Sequence, residues 1–240
     1  MKPFSLRPLA LVAAACAVSA VVAAPAHADV VITEVSSYSS GNAAFAADWF
    51  EVTNTGASAV AVSDWKVDDS SNSFASALAL TGITSIAAGE SVIFIEAPAA
   101  SSPVAGFLSH WFGASAPAGL QVGTYTGAGI GLSTGGDAVN LFDSAGTRLA
   151  GVAFGASTTG QTFDNAAGLN SLTLPLPVLS TLSVLGVNGA FSSVAALASG
   201  VPVGTLDIGS PGIAAVPEAS TTALMLAGLA GMALLRRSRR

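Results

Sequence analysis

An all-β sandwich is the fold this sequence predicts, on three observations: short β-branched segments, period-two alternation inside them, and Gly, Asn or Asp turns spaced between them. Val30 to Val35 reads Val-Val-Ile-Thr-Glu-Val, a strand signal. Asp48 to Asn54 follows, with Trp49 and Glu51 alternating against Phe50 and Val52, and Asn54-Thr55-Gly56 closes it as a turn. Ala59 to Val67 forms a third segment that ends in Asp68 to Ser73. Ala88-Gly89-Glu90 turns the chain into Ser91 to Glu96. The expected core comprises Phe50, Val52, Trp65, Ile93, Phe94, Leu141 and Phe142, from period-two alternation with Gly turns that buries one face per strand.

One helical insertion interrupts the strands. Ser102-Pro103 opens a helix over Val104 to Phe112, whose Phe107, Leu108, Trp111 and Phe112 make one apolar face and suit a lid over one end of the sandwich. A glycine-rich loop, Gly127 to Gly136, leads into a strand over Asp137 to Asp143. Ser144 to Thr147 then turns the chain into Arg148 to Phe154, a hairpin in sequence. Beyond it, Leu172 to Pro177 and Leu179 to Val187 read as one or two edge strands, with Pro175 and Pro177 restricting ladder pairing. No charged or Pro/Ser linker separates this stretch from the strands before it, so it extends the same domain. Ile208 to Ala215, small and Gly/Pro-containing, is a hinge.

Both ends of the chain differ from this body. Lys2 and Arg7 precede an apolar stretch from Leu9 to Ala24 that closes on Ala26-His27-Ala28, the pattern of a secretory signal peptide cleaved between Ala28 and Asp29. Lipidation of Cys16 is the alternative, but the apolar run continues past it and Ala13 stands three residues upstream where a Leu is usual. With cleavage at Ala28 the mature chain has no cysteine, so neither a disulfide nor thiol chemistry is available to an exported domain. At the other end, Val216-Pro217-Glu218 is followed by an uncharged apolar run from Ala219 to Leu235 and then by Arg236, Arg237, Ser238, Arg239 and Arg240. As a helix that run would extend about 26 Å at ~1.5 Å per residue, slightly short of a ~30 Å hydrocarbon core, so it spans if the arginines snorkel. The four arginines form a cytoplasmic anchor, which leaves the body outside. A plain tail anchor accounts for the run alone; a core helix fits it less well because it has no polar face.

The Pro217-Glu218 dipeptide, the apolar run and the terminal arginines together resemble the PEP-CTERM sorting signal of Gram-negative bacteria, departing from its Pro-Glu-Pro in carrying Ala219. The resemblance implies processing by an exosortase-type membrane protease, after export through the secretory translocon and a transient stay in the inner membrane. A second resemblance covers Asp29 to Phe154. Trp49-Phe50-Glu51-Val52-Thr53-Asn54-Thr55-Gly56, Val62-Ser63-Asp64-Trp65-Lys66-Val67, Gly89 to Phe94 and Gly136 to Asp143 resemble a lamin tail domain, and Ser210-Pro211-Gly212 resembles its closing motif. That family implies an immunoglobulin-like β-sandwich. The expected organisation is therefore a signal peptide at 1–28, a lamin-tail-like sandwich with its extension at 29–215, and a sorting signal with a transmembrane helix at 216–240.

Charge narrows the function. Only Lys66 and Arg148 are basic between Asp29 and Val216, against thirteen Asp and Glu, a net charge near −11. Such a surface repels phosphate backbones and anionic membranes, and no nucleic-acid partner is expected. Gly131-Leu132-Ser133-Thr134-Gly135 matches the serine nucleophile elbow, yet it precedes a strand and the one mature histidine, His110, lies upstream of it. One His and no Cys do not make a zinc site, and no cofactor is expected. Asp64, Asp68 and Asp69 are a weak calcium candidate that lacks the Gly and Glu of a calcium loop; the competing reading is a solvated acidic turn. Trp49 and Trp65 suit core anchors better than a sugar-stacking platform. The expectation is a non-enzymatic cell-surface or extracellular protein, with a biofilm or exopolysaccharide matrix as the setting that the resemblance implies. A carbohydrate- or protein-binding module is the alternative, and an exported hydrolase using Ser133 and His110 the third reading.

Overall fold

A computed structural model describes residues 30–40, 45–97, 103–127, 129–197 and 205–213. The cleavage point at Ala28 and Asp29 and the whole sorting signal, Val216, Pro217, Glu218 and the arginine cluster included, lie outside the described residues. The first strands are β1 (Val30–Ser36), β2 (Trp49–Asn54), β3 (Val60–Ala61), β4 (Lys66–Asp68), β5 (Leu78–Ala79), β6 (Ser85–Ile86) and β7 (Ser91–Glu96). Helix α1 (Val104–Phe112) follows. The remaining strands are β8 (Val122–Tyr125), β9 (Asp137–Phe142), β10 (Arg148–Phe154), β11 (Phe163–Asp164), β12 (Val178–Leu179), β13 (Phe191–Ala196) and β14 (Leu206–Gly209).

Two five-stranded sheets form the sandwich, one ordered β11-β1-β2-β7-β8 and the other β12-β10-β9-β4-β5. Most neighbours are antiparallel, as alternation with short turns favours, but β8 joins β7 and β12 joins β10 in parallel. Between the sheets lies a core that includes Ile32, Phe50, Val52, Trp65, Val67, Phe94, Val139, Leu141 and Val152. All seven residues expected in the core are buried. At about 25 cal/mol per Å² of apolar surface, this inter-sheet layer is the main favourable term in folding, as a chain whose single cysteine, Cys16, rules out an internal disulfide requires.

The segment read as one strand over Ala59 to Val67 is two. Trp65 N donates to the Val62 carbonyl at 3.1 Å, a turn at Ser63-Asp64 that sends β3 to pair with β6 and β4 to pair with β9. Asn54 fixes the neighbouring turn: its Nδ2 donates to the carbonyls of Ser58, Ile86 and Ala87 at 2.8–3.1 Å, and its Oδ1 accepts from Gly56 N at 3.0 Å. One Asn side chain thus satisfies backbone groups in two loops.

Helix α1 occupies the expected residues but does not lid the end of the sandwich. It packs with β13 on the outer face of the β1–β2–β7 sheet, where Trp49, Ile93, Ile95, Phe107, Trp111 and Phe112 form a second apolar cluster. Trp49 meets Phe107 and Trp111 edge-on, at centroid distances of 5.4 and 5.8 Å. That sheet is therefore a middle layer, apolar on both faces, and β1 and β2 are buried along their whole length. Among the described residues no helix is long and apolar enough to cross a membrane.

Candidate functional site

Polar side chains cross the second apolar layer, and two carboxylates dominate them. A bulge between Ile32 and Glu34 shifts the register of β1 so that Glu34 stands directly across from Glu51 of β2, on the face covered by α1 and β14. Both are 0% exposed. Like charges placed opposite each other in an apolar layer cost several kcal/mol unless protonated or hydrogen-bonded. Both remedies operate. Glu34 Oε1 accepts from Thr162 Oγ1 at 2.5 Å and from Ser210 N at 2.8 Å, and Oε2 accepts from Ser210 Oγ at 3.3 Å. Glu51 Oε1 accepts from Thr33 Oγ1 at 2.6 Å, and Oε2 from Gly212 N at 2.5 Å. Burial, reinforced by the charge of Glu51, pushes the Glu34 carboxyl up to about 8 against the opposing hydrogen bonds of Thr162 and Ser210. Burial raises Glu51 to about 7, against the hydrogen bonds from Thr33 and Gly212.

The donors explain Ser210-Pro211-Gly212. Its two available backbone N–H groups point at two different glutamates on adjacent strands, and Pro211 between them has no N–H to leave unsatisfied. Gly209, the last residue of β14, is equally constrained: a Cβ there would lie 2.5 Å from Glu34 Oε1 and 2.9 Å from the Trp111 ring. The C-terminal strap is thereby clasped to the N-terminal strands, so the stretch expected to be a hinge is, from Ile208 to Gly212, part of the fold.

A second clasp lies three residues earlier on the strap, in β14. Asp207 is 0% exposed; its Oδ1 accepts from Tyr38 Oη at 2.6 Å, its Oδ2 lies 2.7 Å from His110 Nε2, and its N–H donates to Ser193 Oγ at 3.0 Å. Burial and then the Asp207 charge raise the Tyr38 phenol well above its ordinary value. His110, expected to be either packed or exposed, is packed at 1% exposure. Asp48, beside this layer, accepts from Ser40 N at 2.7 Å and is raised by burial to about 7.

Other sequence candidates lie apart from one another. Ser133 sits in the loop before β9, its Oγ accepting from Gly135 N at 3.2 Å and its N–H donating to Asp137 Oδ2 at 2.9 Å. No helix follows it, and its partners are unrelated to His110, whose Nε2 is engaged by Asp207. Asp64 is exposed, but the acidic turn is not simply solvated. Asp68 is fully buried and accepts from Ser71 Oγ, Ser73 N and Ser76 Oγ at 2.6–3.1 Å, which organises the turn from within. Asp69 accepts from Ser71 N and, through its carbonyl, from Asn140 Nδ2. Among the described residues no group of three His, Cys, Asp or Glu could hold a metal ion. Trp49 and Trp65 are core residues, 0% and 6% exposed.

Sequence reasoning missed Glu34 and Glu51 as a pair. Glu51 shares its side of the strand with Trp49, and a tryptophan on the supposedly polar side is the available signal that this side too is covered. The family model of the Lamin Tail Domain matches residues 23–156, and that of the PEP-CTERM protein-sorting motif matches residues 215–240. No curated protein and no solved structure matches the chain.

Proposed function

This chain belongs to the lamin tail domain family, and from that membership together with its PEP-CTERM sorting motif we infer a non-enzymatic cell-surface or matrix protein. PEP-CTERM motifs are exosortase substrates, and the motif marks the chain for export across the membrane of a Gram-negative bacterium. The observation that carries the reading is the clasp. Ser210 and Gly212, three to five residues ahead of the matched motif, are held by Glu34 and Glu51, so the sandwich ends where the processing signal begins. Support comes from five titratable groups among the described residues: Glu34, Glu51, Asp207, His110 and Tyr38 are all buried and bonded to one another or to the strap. A catalytic base needs access to a substrate proton, which such burial opposes. The secretory translocon delivers the chain, and an exopolysaccharide or protein matrix is its final setting.

Mass spectrometry of both mature termini in the native host tests this reading. We expect a start at Asp29 and an end close to Pro217-Glu218; a mature form that retains the terminal arginines would contradict it.

A further inference from the structure

The joint edge of the two sheets carries an apolar surface that the sandwich does not use. From Asn165 to Leu206 the sequence has 42 residues without a single Asp, Glu, Lys or Arg, in a body whose net charge is near −11. Within that stretch Leu172, Leu174, Val178, Val184, Leu185 and Val187 are 48–61% exposed. Scattered exposed aliphatics are ordinary, but these are joined by hydrogen bonding around one edge. Asn165 and Asn170 bond the carbonyls of Ile32 and Val30 along β1, and Ser171 N donates to Gly151 O on β10. β12 then pairs with β10, after which Asp164 N and Ser183 N tie residues 181–183 to the β11 edge of the other sheet. The segment so covers β11, the edge strand of one sheet, and itself supplies β12, the edge strand of the other.

The chain leaves the sandwich beside this edge. Ile213, 50% exposed, packs against the 184–190 turn, with its carbonyl and side chain 3.0–3.1 Å from where a Gly189 Cβ would stand. From Ile213 to the apolar run at Ala219 is six residues, at most about 20 Å of extended chain at ~3.5 Å each. Any membrane that holds that run therefore lies within reach of this edge, whatever the conformation of the connection. Charge selects the same orientation. Acidic side chains elsewhere on the body are repelled by anionic lipid headgroups, whereas the 165–206 segment that covers this edge carries none. The acid of the edge strand itself, Asp164 of β11, is held by Asn188 Nδ2 and Ala166 N, and Arg148 of β10 is bonded to Asn72.

We propose that this edge lies on the lipid bilayer surface while the sorting segment holds the chain, so that the body docks on the membrane and is not merely tethered to it. The proposal rests on the reading that the sorting segment enters a membrane. Exposed aliphatics on an uncharged rim suit the interfacial region, where apolar burial drives adsorption and short side chains need not cross the hydrocarbon.

The test uses the mature chain from Asp29 to Arg240, which has no cysteine of its own, reconstituted in vesicles of phosphatidylethanolamine with a minor fraction of phosphatidylglycerol. An environment-sensitive fluorophore is placed at Leu185→Cys or, as the reference, at Ala79→Cys on exposed β5, the opposite edge strand. Flotation reports anchoring, and quenching by brominated lipid reports docking. We expect the chain to float and the label at 185 to be quenched several-fold more than the label at 79. Adding Leu172→Asp and Val178→Asp, both at exposed positions, is expected to bring the two labels level. Flotation with equal quenching at 185 and 79 overturns docking and leaves anchoring intact; failure to float overturns both. Shielding at 185 that disappears when protein is diluted in the same lipid assigns the edge to a second copy of the chain, and also overturns the proposal.

Discussion

Glu34 and Glu51 face each other at zero exposure, and their protonation makes stability depend on pH. Their folded values of about 8 and 7 lie above the ordinary 4.5, as the value of about 7 for Asp48 lies above 3.8. Between those limits the folded chain holds more protons than the unfolded one, so stability falls as pH rises. It is greatest below about pH 4.5 for these groups and is lost progressively up to about pH 8. At ~1.4 kcal/mol per pKa unit and ~2–4 °C per kcal/mol, the melting temperature should be lower at pH 8 than at pH 5 by about 5 °C or more. Calorimetry across that range checks it, and Glu34→Gln should flatten the slope; an unchanged slope in the variant would remove Glu34 as its source. Gly209→Ala tests the same contact sterically. A Cβ 2.5 Å from Glu34 Oε1 must displace the carboxylate or the Trp111 ring, at a cost of about 2–3 kcal/mol by denaturant melting.

At the level of elements, β14 joins pieces far apart in sequence. Asp207 alone connects Tyr38, His110 and Ser193, so Asp207→Ala leaves a phenol and an imidazole buried without their carboxylate. A loss of about 3 kcal/mol is expected, with the strap cleaved by protease before the sandwich. Simultaneous digestion of strap and sandwich would show that the strap is not a separate weak point. Elements with their own pattern were legible in the sequence: β1, β2, β7, β9, β10 and α1 match their expected ranges to within a residue or so. Partners such as β8, β13 and β14 were not, because Val122–Tyr125 and Leu206–Gly209 are only four residues long, Phe191–Ala196 is mostly Ser and Ala, and β14 inverts its own pattern, burying Asp207 and Gly209 while Leu206 is exposed. Pairing, not propensity, makes them strands. The carboxylate pair was hidden for a related reason. Two glutamates 17 positions apart become neighbours through one bulge, and a bulge leaves no mark in residue pattern.

For the whole molecule, the middle sheet ties the sorting signal to the fold: one face makes the sandwich core, and the other clasps the strap from which the signal departs. The lamin tail match ends at residue 156, yet β11 extends the first sheet, β12 the second, and β14 supplies the strap. A chain ended after Ala215 retains every clasp contact and should stay folded and soluble, with the same melting temperature as the longer chain within about 2 °C. The central claim is that Pro217-Glu218 and its tail form a removable sorting device on a non-enzymatic body. Its most direct measurement is membrane fractionation of the host expressing the chain with both Pro217 and Glu218 changed to Ala. The account predicts that this variant stays in the inner membrane at its unprocessed mass, because the apolar run and arginines remain while the recognition dipeptide is gone. Release of the double variant at the processed mass, as for the unaltered chain, would contradict it.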